Sequence, residues 1–98
     1  MIRTSDEIGA AHPALAGHFP GRPIVPGALL LARVAAAAEK SFGAVRGVPM
    51  AKFLAPLLPG ERFEVELEAT PAEVRFRVTR GATVIAAGTL QLARTTGR

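Results

Sequence analysis

Residues 62–69 alternate apolar and charged without a break: Phe63, Val65, Leu67 and Ala69 on one side, Glu64, Glu66 and Glu68 on the other. A period of two sets one face on a core and the other in water, as in a half-buried antiparallel strand. Thr70-Pro71-Ala72 then turns the chain, and Val74, Phe76 and Val78 alternate with Glu73, Arg75, Arg77 and Thr79. Side by side, the glutamates of the first strand and the arginines of the second pair on the solvent face. Arg80-Gly81 turns the chain again, and residues 83–94 predict a long last strand with Gly88 as a bulge or bend. Residues 47–53 predict a further strand before a Pro/Gly loop at 56–60.

The first half of the chain has a different period. Residues 1–8 predict a short strand with weak alternation, and residues 11–26 a loop, because four prolines there exclude regular structure. A helix starts at Pro26 or Gly27 and runs to about Lys40, rich in Leu and Ala and followed by Gly43 as its stop. Only Arg33 interrupts its apolar surface before Glu39, which predicts a buried helix. One buried helix followed by a run of antiparallel strands is an α+β fold, a sheet curled round a helix. Pro and Gly concentrate at 17–27 and 56–60, which punctuates one domain spanning residues 1–98 rather than dividing two.

Composition narrows the function. Hydrophobic residues make up 49% of the 98 and charged residues 20%, so the chain is globular rather than disordered. A monomer of this size buries only about 60–65% of its unfolded surface, so association would help it. With no Cys there is neither a disulfide framework nor a thiolate nucleophile, and with two His a protein-only zinc site would need carboxylates as well, which no pattern suggests. Lys and Arg outnumber Asp and Glu by 12 to 8, giving a net charge of +4, and the pI is near 11.1. That balance favours an acidic partner. The cations are scattered, however, and there is no Trp or Tyr to stack on bases, which argues against nucleic acid. Ten of the twelve cations are Arg, which with the many Ala also fits a GC-rich genome. The most apolar stretch, residues 28–38, contains Arg33 and falls short of the ~20 residues that span a bilayer. No secretory leader is evident in residues 1–17, and a cytoplasmic protein is expected.

Chemistry concentrates in Gly17-His18-Phe19-Pro20-Gly21-Arg22-Pro23-Ile24-Val25-Pro26-Gly27. Prolines recurring every three residues stiffen this loop, and its glycines permit tight turns and close approaches. His18 is thereby held in a fixed position, and Gly27 opens a helix whose unpaired N–H groups and dipole favour negative charge. A rigid imidazole beside such donors suits proton transfer next to an oxyanion. His12, in the approach to the loop, reads as structural.

The run from His18 to Gly27, HFPGRPIVPG, closely resembles the signature of the 3-hydroxyacyl-[acyl-carrier-protein] dehydratases of type II fatty acid synthesis. The block AKFLAPLLPGE at residues 51–61 is similar to that family's later strand and Pro-Gly turn. The resemblance covers nearly the whole chain. It implies the hotdog fold, an antiparallel sheet around one central, mostly buried helix, and a dimer. It implies action on a 3-hydroxyacyl thioester carried on acyl carrier protein, with His18 taking the α-proton and the Gly27 N–H polarising the thioester carbonyl. Phe19, Pro20, Gly21, Ile24, Pro26 and Leu30 are the implied substrate contacts, although the residues themselves favour a core role for Phe19 and Ile24. Arg22, Arg33 and Lys52 are candidates for the carrier protein or its phosphopantetheine phosphate. No cofactor or metal is implied beyond the phosphopantetheine that carries the acyl chain.

One position departs from the pattern. The family places a carboxylate on the central helix fourteen residues after the motif His, and there this chain has Ala32. Arg33 is too basic to act as a general acid near neutral pH. Glu39 lies seven residues on, roughly 10 Å along a helix axis. Losing one general acid costs a factor of roughly 10²–10⁴. Four readings follow: a dehydratase of a fatty acid, polyketide or aryl polyene type pathway; a half-catalytic subunit in a homodimer or heterodimer whose hotdog partner supplies the carboxylate; an acyl thioesterase; and a carrier-binding module without chemistry.

Overall fold

The computed structural model describes residues 1–9, 11–12 and 24–93. Six elements follow in chain order: β1 (Ile2–Glu7), α1 (Gly27–Phe42), β2 (Val45–Phe53), β3 (Arg62–Ala69), β4 (Val74–Arg80) and β5 (Thr83–Leu92). The strands form one antiparallel sheet in the order β1-β3-β4-β5-β2. The last three strands are a simple meander, and the two earlier ones take its outer edges.

The alternation read from the sequence fixes the faces of the meander. Phe63, Val65 and Leu67 of β3 and Val74, Phe76 and Val78 of β4 are buried against α1. Each such side chain contributes about 1.5–3 kcal/mol of transfer free energy. The helix adds Leu30, Val34 and Ala38, spaced by four and therefore stacked on one face. Leu29, Leu31, Ala37 and Phe42 pack at the margin of this core. Burial of α1 is graded, where the all-round apolar sequence predicts a helix enclosed on every side. Ala28, Ala32 and Ala36 lie exposed on the far side, because a single sheet covers only one side of a helix. Gly43, at φ 95°, ends the helix, as its position predicts, and its N–H bonds to the Glu39 carbonyl.

Gly88 differs from expectation. β5 runs through it in register, opposite Phe76 and Ala51, with neither bulge nor bend. Glycine is required there by contact: a Cβ would collide with the Met50 carbonyl oxygen and come within 2.8 Å of the Phe76 ring. The irregularity in β5 falls earlier. Val78 pairs with Ala86 but Thr79 pairs with Val84, leaving Ile85 as an extra residue. Its carbonyl is turned to accept the N–H groups of Leu54 (2.8 Å) and Ala55 (3.3 Å), so the bulge anchors the loop leaving β2.

The outer face carries the expected charge pairing in more concentrated form. Glu66 accepts from Arg77 of β4 (2.8 and 3.0 Å) and from Arg3 of β1 (3.1 Å). The two arginines cover it, so that it is nearly buried. The hydrogen bonds from Arg77 lead in holding its carboxyl below the ordinary glutamate value, against the opposing effect of burial. Glu68 and Arg75 stand opposite each other in register without an ion pair.

Candidate active site

An open groove of about 540 Å³ lies where the N-terminus of α1 meets the end of β2. Ile24, Val25, Gly27 and Leu30 form one wall, Phe53, Leu54, Ala55, Pro56 and Leu57 the other, and Ile85 closes the floor. None of these lining residues is ionisable. The surface is apolar, and its polar character comes from backbone.

Three features hold the groove in shape. The Val25 N–H bonds to the Leu57 carbonyl at 2.9 Å, fixing the chain just before the helix to the opposite wall. The Ile85 carbonyl holds Leu54 and Ala55. Arg80 reaches from the β4–β5 turn to the Pro56 carbonyl (2.8 Å) and to Glu61 (3.0 Å), whose carboxylate also accepts the Leu58 N–H (2.8 Å). A loop rich in proline has few N–H groups of its own to donate, so this arginine supplies the missing bracing.

Donors at the helix start face this region. Pro26 precedes α1 in an extended conformation (φ −61°, ψ 142°) and has no side-chain oxygen to cap with, and no acidic residue occupies the first turn. The first ladder bond runs from the Leu30 N–H to the Pro26 carbonyl, so the N–H groups of Gly27, Ala28 and Leu29 precede the ladder. Together with the helix dipole they form a site of positive potential at the head of an apolar groove. A carbonyl oxygen gaining negative charge would be stabilised there.

Of the residues read as functional from sequence, Ile24, Gly27 and Leu30 line the groove and Pro26 precedes the helix at its head. Leu30 is almost fully buried, so it belongs to core and groove at once. His18, Phe19, Pro20, Gly21 and Arg22 lie outside the described residues. Ala32 sits on the exposed side of α1, and no carboxylate lines the groove among the described residues. Glu39 is occupied elsewhere: its carboxylate accepts the Val45 N–H at 3.1 Å, holding the turn from α1 into β2. Arg33 is held by Asp6 of β1, one guanidinium nitrogen lying 2.8 and 2.9 Å from the two carboxylate oxygens. Lys52 is exposed on the outer face of β2, across the sheet from α1. The His12 N–H bonds to the Gly9 carbonyl at 3.1 Å.

The wall from Phe53 to Leu57 went unassigned in the sequence reading. Its sequence signal lies in the block at residues 51–61, where apolar side chains carry no charge or hydrogen-bonding group that marks a site. Among the described residues no cluster of three His, Asp or Glu is placed to hold a metal. No helix there is long and apolar enough to cross a membrane.

Known proteins share much of this sequence and fold. The 3-hydroxyacyl-[acyl-carrier-protein] dehydratase FabZ of Cronobacter sakazakii is 34% identical over 92 residues, covering 82% of this chain and 60% of its own length. The FabZ of Vibrio atlanticus is 38% identical over 73 residues, covering 62% of this chain and 49% of its own. The chain thus spans about half to three fifths of the length of these relatives. Among solved structures, the dehydratase heterocomplex ApeI:P from Xenorhabdus doucetiae aligns with a TM-score of 0.78 at 22% identity, over 94% of this chain and 86% of that one. The (R)-hydratase from A. caviae involved in PHA biosynthesis aligns at 0.70 and 23% identity, over 94% and 93%. These similarities establish the hotdog fold. The family model for ApeI-like proteins, ApeI dehydratase, matches residues 2–89. With nine tenths of its length inside that match, the chain belongs to the ApeI-like dehydratase family.

Proposed function

We propose that the chain is a dehydratase-like hotdog subunit acting on 3-hydroxyacyl thioesters carried on acyl carrier protein. The observation that carries this reading is the apolar groove that runs up to the uncapped N-terminus of α1 at Gly27. An acyl chain fits the groove walls, and a thioester carbonyl fits the free N–H groups at its head. His18, nine residues before Gly27 in the motif, takes the proton from the α-carbon. The electron pair of that C–H bond forms the double bond, and the C–O bond to the 3-hydroxyl breaks. The departing hydroxide takes a proton and leaves as water, giving a 2-enoyl thioester. The Gly27 N–H stabilises the enolate-like charge between these events. No cofactor is required; phosphopantetheine serves as the tether. The net charge of +4 favours the acidic carrier as a partner.

The proton for the leaving group distinguishes two versions. In the first, the chain acts alone and His18 returns its proton. In the second, a hotdog partner supplies the carboxylate. Ala32 favours the second, since it stands exposed on the outward face of α1 and no carboxylate lines the groove among the described residues. Incubation with a 3-hydroxyacyl carrier substrate, followed by detection of the 2-enoyl product, tests the reading. Turnover by the isolated chain that is lost in His18→Ala supports the first version. Turnover only after adding a partner hotdog protein, again lost in His18→Ala, supports the second. Hydrolysis of the thioester without enoyl product would instead assign a thioesterase. Binding of the carrier without any turnover would leave a carrier-binding module.

A further inference from the structure

Gly27 has an ordinary backbone, and the limit on a side chain there is the space left beside a neighbouring ring. A Cβ there would stand 2.8 Å from Cζ of Phe53 and 3.1 and 3.2 Å from the two Cε atoms. Real Cβ atoms do not tolerate such a separation, and all three contacts are to the tip of the ring. Phe53 therefore points end-on at the first residue of α1. The ring is not there to fill the core: Phe53 is 51% exposed and stands over Ala86, its small partner on β5. Gly27 and Phe53 line the same groove, so the ring occupies the groove beside the free N–H groups.

On the reading given under Proposed function, the thioester carbonyl accepts from the Gly27 N–H. The α-carbon is bonded directly to that carbonyl carbon, so it also lies beside Gly27. The ring that excludes a methyl-sized atom on Gly27 then bounds the space around the α-carbon. The far end of the acyl chain lies further from Gly27, away from this contact. We infer that Phe53 is a specificity-determining residue, which makes the groove select unbranched 3-hydroxyacyl thioesters over those carrying a methyl group at the α-carbon.

The test uses non-reactive amide analogues of 3-hydroxyacyl pantetheine, one unbranched and one 2-methyl, and does not depend on turnover. Binding is measured by calorimetry on the full chain, in the assembly it forms, and on Phe53→Ala and Phe53→Leu. Discrimination by one methylene in an apolar pocket is about 10-fold or more, and that preference for the unbranched analogue is expected of the wild type. In Phe53→Ala the preference should fall to about 3-fold or less, mainly through tighter binding of the branched analogue, with Phe53→Leu in between. Because the ring is half exposed, Phe53→Leu keeps the comparison available should Phe53→Ala fold poorly. Equal binding of the two analogues by the wild type overturns the inference. So does a variant that loses affinity for both equally, which marks a merely structural ring. Wild type that binds neither analogue overturns the reading of the groove itself, a failure distinct from an unchanged preference.

Discussion

β1 and β2 are the two free edges of one sheet, and they meet the hazard of an unpaired edge in opposite ways. β1 is six residues long and studded with charge. Arg3 is tied to Glu66 at 3.1 Å and Asp6 to Arg33 at 2.8 Å, so side chains committed to neighbouring elements guard its length. A short, charged edge discourages another strand from adding. β2 is nine residues long, and Val48, Met50 and Phe53 are exposed along it, with Leu54 just beyond. Pro49 and two shifts of register, on either side of Gly47, interrupt it without covering it. A long apolar edge left open in a small domain is a surface for association. The contrast teaches where a hotdog partner would join: at β2, next to the groove, and not at β1.

Gly88→Ala forces a Cβ against the carbonyl of Met50, in the strand β2 that pairs with β5 there. Urea denaturation should show a loss of about 3 kcal/mol, and little change would mean that β2 moves away easily. Gly47→Ala, with nothing within 4 Å, is the control on the same edge. The double variant Val48→Asp with Met50→Asp should weaken self- or hetero-association about 100-fold, roughly 2.7 kcal/mol, by analytical ultracentrifugation. Ser5→Asp on β1 should leave association unchanged, and equal sensitivity of the two edges would erase the distinction.

Smaller effects belong to the polar side. Glu66→Gln should cost about 1 kcal/mol at neutral pH, since its arginine partners are themselves well exposed. The folded carboxyl titrates below the ordinary glutamate value, so its contribution is present above that value and lost as pH falls through the lowered one. The gap between wild type and Glu66→Gln should therefore close in acid; a gap constant with pH would place the stabilisation elsewhere. Arg33→Ala, which frees Asp6, should cost less than about 1 kcal/mol, because both side chains are about a third exposed. A larger loss would show that this pair, rather than the Glu66 cluster, holds β1.

Much of this fold was legible because periodicity is local. The alternation through Phe63, Val65 and Leu67 and through Val74, Phe76 and Val78 depends only on neighbours in the chain. The same holds for the Leu30, Val34 and Ala38 stripe and for the stop at Gly43. The order of the strands, which places β1 and β2 at opposite edges, has no such local sign. Nor does the bulge at Ile85: a glycine drew the expectation to Gly88, yet the extra residue is an isoleucine whose carbonyl faces a loop thirty residues away. Beside the groove, Ile24, Pro26 and Gly27 belong to a compact motif that is visible in the chain itself. The Phe53 ring is not, because its meaning comes from the approach of β2 to the start of α1.

The strand order has a consequence for how the molecule is made. β3, β4 and β5 are consecutive, and their pairings close over short loops. β1 pairs with β3 about sixty residues downstream, and β2 pairs with β5 about forty downstream. On the ribosome, β1, α1 and β2 emerge before any strand they pair with has been made. The apolar face of α1 therefore waits in solvent until β3 and β4 appear, and β2 waits for its pairing until the last strand does. Contacts so distant in sequence form slowly. The apolar edge of β2 is, in the nascent chain, the segment most exposed to the wrong partner.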